Sequence, residues 1–266
     1  MTATLPLQLQ PSRPLPHQER IPVVDTTFGN LRLRFARDES DLEAVQALRY
    51  RVFNLELNEG LADSHHSGRD VDRFDAQCQH LMVLDRDSGE VVGTYRMQVA
   101  ESAREAEGFY SDGEFDLSGF GDEVLENSIE LGRACIAKEY RNRIALFLLW
   151  RGLANYVVHT RKSLLFGCSS LTSQDPAEGH AAYAQLAAGG HLHERYDLAP
   201  RPGFECAEVP HAGVTVTIPP LFGIYLRHGA KICGRPAIDR EFGTIDFLTL
   251  LDAGAMDPKV FQSFAG

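Results

Sequence analysis

Positive charge is concentrated between Arg133 and Lys162, in a chain that is acidic overall. This stretch holds seven basic residues against one acidic residue, whereas the 266-residue chain has a formal net charge of −11. It starts on a predicted strand and continues into the first turn of a predicted apolar helix. Backbone N–H groups and the helix dipole attract anions at a helix N-terminus. We therefore predict a phosphate site formed by Lys138, Arg141 and Arg143.

Two charged residues, Glu130 and Arg133, lie three positions apart in the predicted strand 128–136. Such positions point to opposite faces of a regular strand, so both can serve one cleft only if the strand is irregular. Gly132 between them predicts a β-bulge. A strand opened in this way exposes backbone N–H groups, which can bind a carbonyl oxygen as negative charge develops on it. The alternative is a structural ion pair between the two residues.

Three further residues could present charge or an aromatic ring to a pocket. Arg49 and Phe53 are four positions apart and share a face of the first predicted helix. A solvated arginine beside a core phenylalanine is the alternative interpretation of that pair. Arg96 lies among apolar residues in a predicted strand. A charge in that position is either at a sheet edge or paired.

Three aspartates are clustered in a polar loop, where they could hold an ammonium group. They are Asp70, Asp72 and Asp75, and the same loop contains Arg69 and Arg73. Local ion pairs with those two arginines are the alternative.

Two other kinds of site are not supported. His65 and His66 lie near Asp63, but they lack the H-x-x-x-H or paired-cysteine spacing of common metal sites, so we predict no metal. The segment Gly167-Cys168-Ser169-Ser170-Leu171 lacks the final glycine of the G-x-S-x-G motif. A hydrolase nucleophile is therefore not expected there.

The elements that must position these residues alternate along the chain without a repeat. A capping box from Ser40 to Glu43 predicts a helix over 40–57. Further helices are predicted at 142–159, from 175, and at 220–228. Strands are predicted at 31–36, 80–85, 90–100, 128–136, 163–168, 214–218, near 232 and at 245–250. This order predicts an α/β (α+β) fold class with a sheet of mixed strand direction.

Composition limits the domain organisation and the partners. Residues 1–30 are predicted to be a mobile, proline-rich tail that is not a signal peptide, and residues 31–266 a single domain. The acidic balance argues against nucleic acid as a partner. Five cysteines without a C-x-x-C pair indicate reduced thiols and a cytoplasmic location. The longest apolar run, 144–158, is interrupted and shorter than the ~20 residues that span a bilayer.

Several motifs, taken in order, resemble a known family. Four segments look like the signature of the acyl-homoserine lactone synthase-like branch of the GNAT acyltransferases: Leu48-Arg49-Tyr50-Arg51-Val52-Phe53, Asp72-x-x-Asp75, Gly93-Thr94-Tyr95-Arg96 and Ile129-Glu130-Leu131-Gly132-Arg133. The C-terminal part, with segments 218–221, 225–231 and 236–242, is more similar to the L-ornithine N-alpha-acyltransferases. These make ornithine lipids and are also described as hemolysin-like proteins. The resemblance extends from about residue 33 to residue 252.

The resemblance implies a GNAT-like, mostly antiparallel twisted sheet with helices on both faces. It also implies transfer of a fatty acyl group, commonly 3-hydroxyacyl, from acyl carrier protein to an amine, without a bound cofactor. Carried over by position, the catalytic residues would be Glu130, Arg133, Asp72 and Asp75. The substrate-binding residues would be Arg49, Phe53, Arg96 and Cys135.

Three departures from the family pattern refine this expectation. Segment 141–145 replaces the glycine-rich loop for acyl-CoA phosphates and contains no glycine. It suits the single phosphate of a 4′-phosphopantetheine thioester on an acidic carrier protein. The tryptophan of lactone synthases is absent near Glu59, which argues against a lactone product. No second acyltransferase domain follows in the sequence, so we expect a lyso-ornithine lipid.

In this hypothesis Glu130, directly or through water, takes the proton that the amine loses. Asp72 and Asp75 orient the cationic amino acid, and Arg96 or Arg49 pairs with its carboxylate. The acyl chain would lie among apolar side chains of two segments: Phe109, Tyr110, Phe115, Leu117, Phe120, Leu221, Phe222 and Tyr225.

Other functions stay open at this point. They are an N-acyl amino acid synthase with another acceptor, an acyl-homoserine lactone synthase, and a non-catalytic module that binds acyl carrier protein. A peripheral position at the inner face of the membrane is also open, because the expected product is a lipid.

Overall fold

The computed structural model describes residues 12–265, and within this range nine strands form one sheet. The strands are β1 (Asp25–Phe28), β2 (Leu31–Phe35), β3 (Gln79–Asp85), β4 (Val91–Val99), β5 (Ser128–Ile136), β6 (Leu164–Leu171), β7 (Lys231–Ile232), β8 (Ala237–Asp239) and β9 (Thr244–Asp252).

Eight α-helices in the same range connect or flank these strands. They are α1 (Glu39–Tyr50), α2 (Ser64–Ser67), α3 (Ala100–Glu105), α4 (Asp122–Glu126), α5 (Arg143–Thr160), α6 (Pro176–Ala188), α7 (Pro220–Arg227) and α8 (Pro258–Ala265). A π-helical segment, Arg51–Glu56, continues α1. Single turns of π-helix inside helices occur frequently at functional sites.

The sheet has the order β1-β2-β3-β4-β5-β6-β9-β7, and β8 also pairs with β9. Every pair is antiparallel except β5–β6, which is parallel and is connected through α5. Two parallel strands need such a crossover, because a tight hairpin would make the second strand run antiparallel to the first. The predicted mixed, mostly antiparallel α/β sheet is confirmed.

Helices cover both faces of the sheet because the central strands are apolar on both sides. On β3, Leu81 and Val83 belong to the core that contains α5, whereas Met82 between them belongs to the core that contains α1. Alternate residues of a strand point to opposite faces. The large α5 core therefore lies on one face, and the smaller core of α1 lies on the other.

The parallel pair β5–β6 is short, and the two strands then separate. Pairing joins Ser128, Ile129 and Glu130 of β5 to the segment 164–166 of β6. At Gly167 an added Cβ atom would lie 2.1 Å from the carbonyl oxygen of Leu131, so the backbones touch where the strands begin to diverge. Only glycine fits such a close approach. Beyond this point the diverging strands leave a gap in the sheet.

Several predicted boundaries need correction. The first helix begins at Glu39 with Asp38 as its N-cap, which accepts from the backbone N–H of Asp41, so Ser40 is not the cap. The hydroxyl of Ser40 itself donates to Asp38 Oδ1, so Ser40 lies inside the first turn and supports the cap. The strand predicted at 214–218 is irregular chain that leads into α7.

The ordered chain also begins before the predicted domain boundary. Ile21 and Val24 are buried in the α5 core, and β1 pairs with β2 at the edge of the sheet. The predicted tail 1–30 is therefore wrong for this part, because two buried apolar side chains fix it in place. Residues 1–11 of that tail lie outside the described residues. Strand β8 and helix α8 were not predicted.

Two predictions from composition concern the cysteines and a membrane span. All five cysteines are free thiols, four of them buried, and Cys168 is partly exposed. Within residues 12–265, no helix combines the length and the apolar character that a membrane span requires.

Candidate active site

A cavity of about 680 Å³ occupies the gap between the diverging strands β5 and β6. Its walls come from the bulged part of β5, the outer half of β6, the first turns of α5 and helix α7. Apolar side chains dominate these walls, among them Leu146, Leu149, Trp150, Leu221, Phe222 and Tyr225. A narrow apolar cleft with a few polar groups is the usual form of a small-molecule site.

Strand β5 is bulged where it borders the cavity. Thr94 of β4 pairs with Cys135 and Arg96 pairs with Gly132, so Arg133 and Ala134 together face a single residue of β4. Arg133 has a φ of +48°, a left-handed conformation that is uncommon for a residue other than glycine. The predicted irregularity of the strand is confirmed. The residue that adopts the unusual backbone is Arg133 and not Gly132.

A buried network of ion pairs supports the bulge. It contains three arginines and three aspartates, and each of the six side chains is at most 9% exposed: Arg49, Arg96, Arg133, Asp70, Asp72 and Asp75. The formal charges of these six groups sum to zero. Charges this deeply buried are tolerated when they are paired and hydrogen-bonded.

Arg49 is fully buried and holds two of the aspartates. Its Nε lies 2.7 Å from Asp70 Oδ2, and its Nη1 lies 2.7 Å from Asp75 Oδ1. Burial alone would raise the pKa of the Asp75 carboxyl, but Arg49 and Arg96 hold this pKa well below its ordinary value. Asp75 is therefore a charged partner of the arginines. Arg49 does not border the cavity.

Arg96 and Arg133 complete the network. Arg96 Nη1 lies 2.5 Å from Asp72 Oδ2 and 3.1 Å from Asp75 Oδ1. Arg133 contacts Asp70 through Nε at 3.2 Å and Asp72 through Nη2 at 3.1 Å. Burial would raise the pKa of Asp72, but these two arginines lower it. Of the six side chains, that of Arg133 belongs to a residue lining the cavity.

The aspartates do not pair with the arginines of their own loop, which was the alternative to a shared cluster. Arg69 pairs with Glu43 and Arg73 pairs with Glu107, so neither neutralises the aspartate cluster. Glu130 and Arg133 form no ion pair within residues 12–265. The aspartates instead pair with arginines that come from α1, β4 and β5.

Aromatic rings enclose the guanidinium group of Arg133. Its Cζ lies 4.3 Å from the ring centre of Phe242 and 4.9 Å from that of Tyr110. Phe53, in the π-helical segment, packs edge-on against Phe242 with ring centres 5.4 Å apart. Stacking of this kind stabilises a cation and fixes its orientation. Phe53 therefore borders the cavity. Arg49, which was expected to share a pocket with it, lies behind it.

Glu130 is buried and accepts two backbone hydrogen bonds. The N–H groups of Tyr110 and Ser111 donate to its two carboxylate oxygens at 3.0 and 2.7 Å. Burial raises the pKa of this carboxyl above its ordinary value, although these two hydrogen bonds oppose the shift. Glu130 borders a small space of about 10 Å³ beside Gly132, which shares Tyr110 with the large cavity.

The N-terminus of α5 lies at the mouth of the cavity. Asn142 caps the helix by accepting from the N–H groups of Ile144 and Ala145. Arg141 and Arg143 line the mouth, and Lys138 is exposed in the preceding turn. Arg141 is already engaged, because its guanidinium group binds Glu56 at 2.5 and 2.8 Å. Two of the three predicted basic residues therefore line the cavity, and Arg143 is the more available of these two arginines.

The predicted acyl-chain residues divide into two groups. Tyr110, Leu221, Phe222 and Tyr225 line the cavity. The remaining aromatic and leucine residues of the acidic segment pack with Phe166 in a separate core: Phe109, Phe115, Leu117 and Phe120. Cys135 lines the cavity, and burial raises the pKa of its thiol to about 12, so the thiol is neutral.

Some residues at the site were not predicted as site residues. Asp246 on β9, Glu59 and Thr172 line the cavity, and Glu114 lies beside Asp246. A signal for Asp246 does exist, since it is a charged residue inside an apolar strand, as Arg96 is. Glu59 and Glu114 lie in irregular segments, where the sequence offers no comparable pattern.

We expect Arg49→Met to destabilise the protein by about 3–5 kcal/mol, because Asp70 and Asp75 would be left buried without their partner. Arg69→Met serves as the matched control. It removes a partly exposed ion pair with Glu43 and should cost less than about 1 kcal/mol. Denaturant unfolding measures both. Equal, small losses in the two variants would show that the network does not support the fold.

Comparisons with known proteins agree with this geometry. Residues 48–151 match the family model for an acetyltransferase (GNAT) domain. The chain is 33% identical over 259 residues to the L-ornithine N(alpha)-acyltransferase of Agrobacterium fabrum, which covers 90% of this chain and 86% of that protein. The enzyme of that name from Rhizobium meliloti is 32% identical over 255 residues, covering 89% and 85% of the two chains.

Among solved structures, an N-acyl amino acid synthase from uncultured soil microbes superposes with a TM-score of 0.51. The identity is 7%, and the match covers 86% of this chain and 95% of that one, so it shows the shared fold alone. The relatives from Agrobacterium and Rhizobium, in contrast, match over most of their length. The chain is therefore a GNAT acyltransferase and belongs to the family of the L-ornithine N(alpha)-acyltransferases.

Proposed function

We propose that the protein transfers a 3-hydroxyacyl group from acyl carrier protein to the α-amine of ornithine and so forms a lyso-ornithine lipid. The observation that carries this proposal is the cavity between β5 and β6, which joins a basic helix N-terminus, an apolar channel and a bulged strand. The names of the curated relatives support ornithine as the acceptor. The size and the apolar lining of the cavity suit a fatty acyl chain.

The donor would bind at the mouth of the cavity. A phosphopantetheine arm on a carrier protein carries one phosphate, which suits the N-terminus of α5 together with Arg143, Arg141 and Lys138. Segment 141–145 contains no glycine, so it does not form the flexible glycine-rich loop that wraps a pyrophosphate. The exposed side chains of these basic residues would also meet the acidic surface of the carrier protein.

The thioester would lie along the bulge of β5. From Gly132 onwards this strand has no ladder partner on the side of β6, so its backbone borders the cavity. The amine nitrogen attacks the thioester carbonyl carbon, a C–N bond forms and the C–S bond breaks. The pantetheine thiol leaves, and the amine gives up a proton. Backbone N–H groups of the bulge would stabilise the negative charge on the carbonyl oxygen during attack.

Glu130 is our candidate for the group that takes the amine proton, directly or through water. A carboxylate offers about four acceptor positions, and backbone N–H groups use two of them here. A raised pKa suits a general base because it strengthens proton acceptance near neutral pH. Glu130 also fixes the backbone at Tyr110 and Ser111, so it would have a positioning role in addition.

The ion-pair network would hold the acceptor through Arg133. This residue borders the cavity, and its guanidinium group could pair with the α-carboxylate of the amino acid. Asp72, Asp75, Arg49 and Arg96 would act by fixing the orientation of Arg133, because they are engaged with one another. Two more predicted substrate-binding residues, Phe53 and Cys135, would form part of the apolar wall.

The location follows from the substrates in this proposal. Acyl carrier protein and free ornithine are cytoplasmic compounds, whereas the product carries a fatty acyl chain. We propose a cytoplasmic enzyme that releases its product at the inner face of the membrane. The protein needs no bound cofactor for this reaction.

The function is tested by incubating the purified protein with 3-hydroxyacyl carrier protein and an equimolar mixture of ornithine, glycine and S-adenosylmethionine. We expect one main product with the mass of 3-hydroxyacyl-ornithine, and fragmentation should place the acyl group on the α-nitrogen. A lactone, or acyl-glycine as the main product, would contradict the proposal. Parallel reactions with 3-hydroxyacyl-CoA decide which donor is used.

We expect Glu130→Gln to lower kcat/KM at least ~100-fold, because a neutral amide cannot accept the amine proton. In the wild-type protein, activity should fall as the pH is lowered through the pKa of Glu130, and at a higher pH than for an ordinary glutamate of pKa 4.5. Glu123→Gln, on the exposed helix α4, is the control. If Glu130→Gln keeps the wild-type rate at every pH, Glu130 only positions the backbone.

We expect Arg143→Glu to raise the KM for the acyl carrier protein about tenfold and to leave kcat nearly unchanged, because charge reversal weakens docking of an acidic partner. Arg141 is less suitable for this test because it also binds Glu56. Arg195→Glu, an exposed residue outside the cavity wall, gives the same change in net charge as a control. An unchanged KM in Arg143→Glu would mean that the carrier protein docks elsewhere.

A further inference from the structure

A second group of buried acids lies at the cavity and is separate from the arginine–aspartate network. Asp246 of β9 pairs across the sheet with Ser170 of β6 and lines the cavity together with Cys168. One carboxylate oxygen of Asp246, one of Glu114 and the sulfur of Cys168 all lie within 4.8 Å of one another. Two buried carboxylates therefore approach each other at the wall of the site.

Each carboxylate has an oxygen that receives no hydrogen bond from outside the pair. Glu114 is 3% exposed and Asp246 is 2% exposed, and the two side chains hydrogen-bond to each other through a shared proton. Within residues 12–265 no other donor reaches Glu114 Oε1 or Asp246 Oδ1. Their other oxygens do have donors, since Cys168 Sγ donates to Glu114 Oε2 at 3.6 Å and Thr244 Oγ1 donates to Asp246 Oδ2 at 3.2 Å. A buried acceptor that is left unsatisfied costs free energy unless a ligand supplies the donor.

Positive charge is also missing here. Within the described part of the chain, no arginine, lysine or histidine forms an ion pair with Glu114 or Asp246, nor with Glu59, which also lines the cavity. Burial raises the pKa of Glu114 well above its ordinary value, and the neighbouring charge of Asp246 adds to this rise. The pair therefore holds a proton when no cation is present. The arginine–aspartate network is balanced by its own members, whereas this pair is neutralised by a shared proton or by a cation from outside the protein.

We propose that Glu114 and Asp246 bind the side-chain ammonium group of the acceptor amino acid, an inference that rests on the function proposed above. A primary ammonium group has three N–H donors, and the two unpartnered oxygens of the pair can accept two of them. Glu59 lies close enough to the pair for Asp246 to affect it, since burial raises the pKa of Glu59 and the charge of Asp246 adds to that rise. A carboxylate pair of this kind favours a positively charged side chain over an apolar one of the same length.

Contacts between neighbouring residues connect this pair to the reaction centre. Cys168 Sγ lies 3.7 Å from Ser111 Oγ, and the backbone N–H of Ser111 donates to Glu130. An ammonium group held between carboxylates stays protonated and cannot attack a thioester. The α-amine of the same molecule, three methylene groups and the α-carbon away, remains the nucleophile. The pair would thus determine which of two amines is acylated.

A metal ion is the competing occupant, since a carboxylate, a thiol and a second carboxylate could also ligate one. We favour the ammonium group because Asp246 and Cys168 line a cavity of about 680 Å³, which has room for a whole amino acid and an acyl chain.

The test compares the binding of ornithine with that of norvaline, which has the same carbon chain without the side-chain amine. Calorimetry should show that the wild-type protein binds ornithine at least about tenfold more tightly, since hydrogen bonds between charged groups are stronger than those between neutral groups. In Asp246→Asn and in Glu114→Gln this preference should disappear, while norvaline binding is kept. Asp116→Asn, an exposed aspartate close in sequence to Glu114, should keep the preference.

Thermal unfolding of the same variants separates this role from a structural one. An amide in place of one carboxyl of the pair can donate to the remaining carboxylate, so Tm should stay unchanged or rise, whereas loss of a structural residue would lower it. Equal binding of ornithine and norvaline by the wild-type protein would overturn the site, as would an ornithine preference that survives in both variants. Stoichiometric Zn²⁺ in the purified protein that is lost in Asp246→Asn would also overturn it.

These results are independent of the acyl-transfer assay. A protein that prefers ornithine in calorimetry but transfers no acyl group would keep the ammonium site and refute the proposed function. A protein that acylates ornithine but binds it no more tightly than norvaline would keep the proposed function and refute the ammonium site.

Discussion

Mutual neutralisation of three buried arginines and three buried aspartates is the interaction on which the site depends. Each of these ions, taken alone, loses several kcal/mol of hydration on burial, and only the complete set compensates that loss. The partners come from α1, the loop 70–75, β4 and β5. The network therefore joins four segments that are distant in sequence and fixes the bulged strand relative to the first helix.

The cavity is a consequence of how the sheet is built around that fixed strand. β5 and β6 pair over three residues, and Gly167 then lets the backbones touch before they separate. On one side of the gap the bulge is held by the arginines, and on the other side β6 and β9 carry Cys168 and Asp246. A neutral network of ion pairs and a pair of acids thus border one apolar channel, and the sheet sets their separation.

Much of this architecture could be predicted from the sequence, because its signals are local. Strand β5 has the predicted bounds. Helix α6 begins at Pro176 with Asp175 as its N-cap, in agreement with the helix predicted from residue 175. The family assignment is confirmed, and five of the six residues of the ion-pair network were among the predicted site residues. The sequence could not show that they contact one another, because the pairing between Arg49 and Asp70 depends on how the loop folds against α1.

Other features could not be inferred for identifiable reasons. Asp38 caps α1 in place of Ser40, because two residue types that favour N-caps lie next to the helix start and the sequence alone does not decide between them. The chain at 214–218 has the apolar alternation of a strand but pairs with none of the nine strands. Glu114 follows a single 3-10 turn, and its proximity to Asp246 arises from contacts across 132 positions of sequence.

The left-handed backbone at Arg133 limits which residues this position can accept. Glycine would adopt that conformation at no steric cost, whereas an arginine there gives up about 1 kcal/mol or more of folding free energy. Glycine would also remove one of the two arginines that pair with each of Asp70 and Asp72, and that loss of about 3–5 kcal/mol exceeds the backbone gain. Random substitutions at this codon are therefore expected to be removed by selection for a folded chain as well as by selection for turnover.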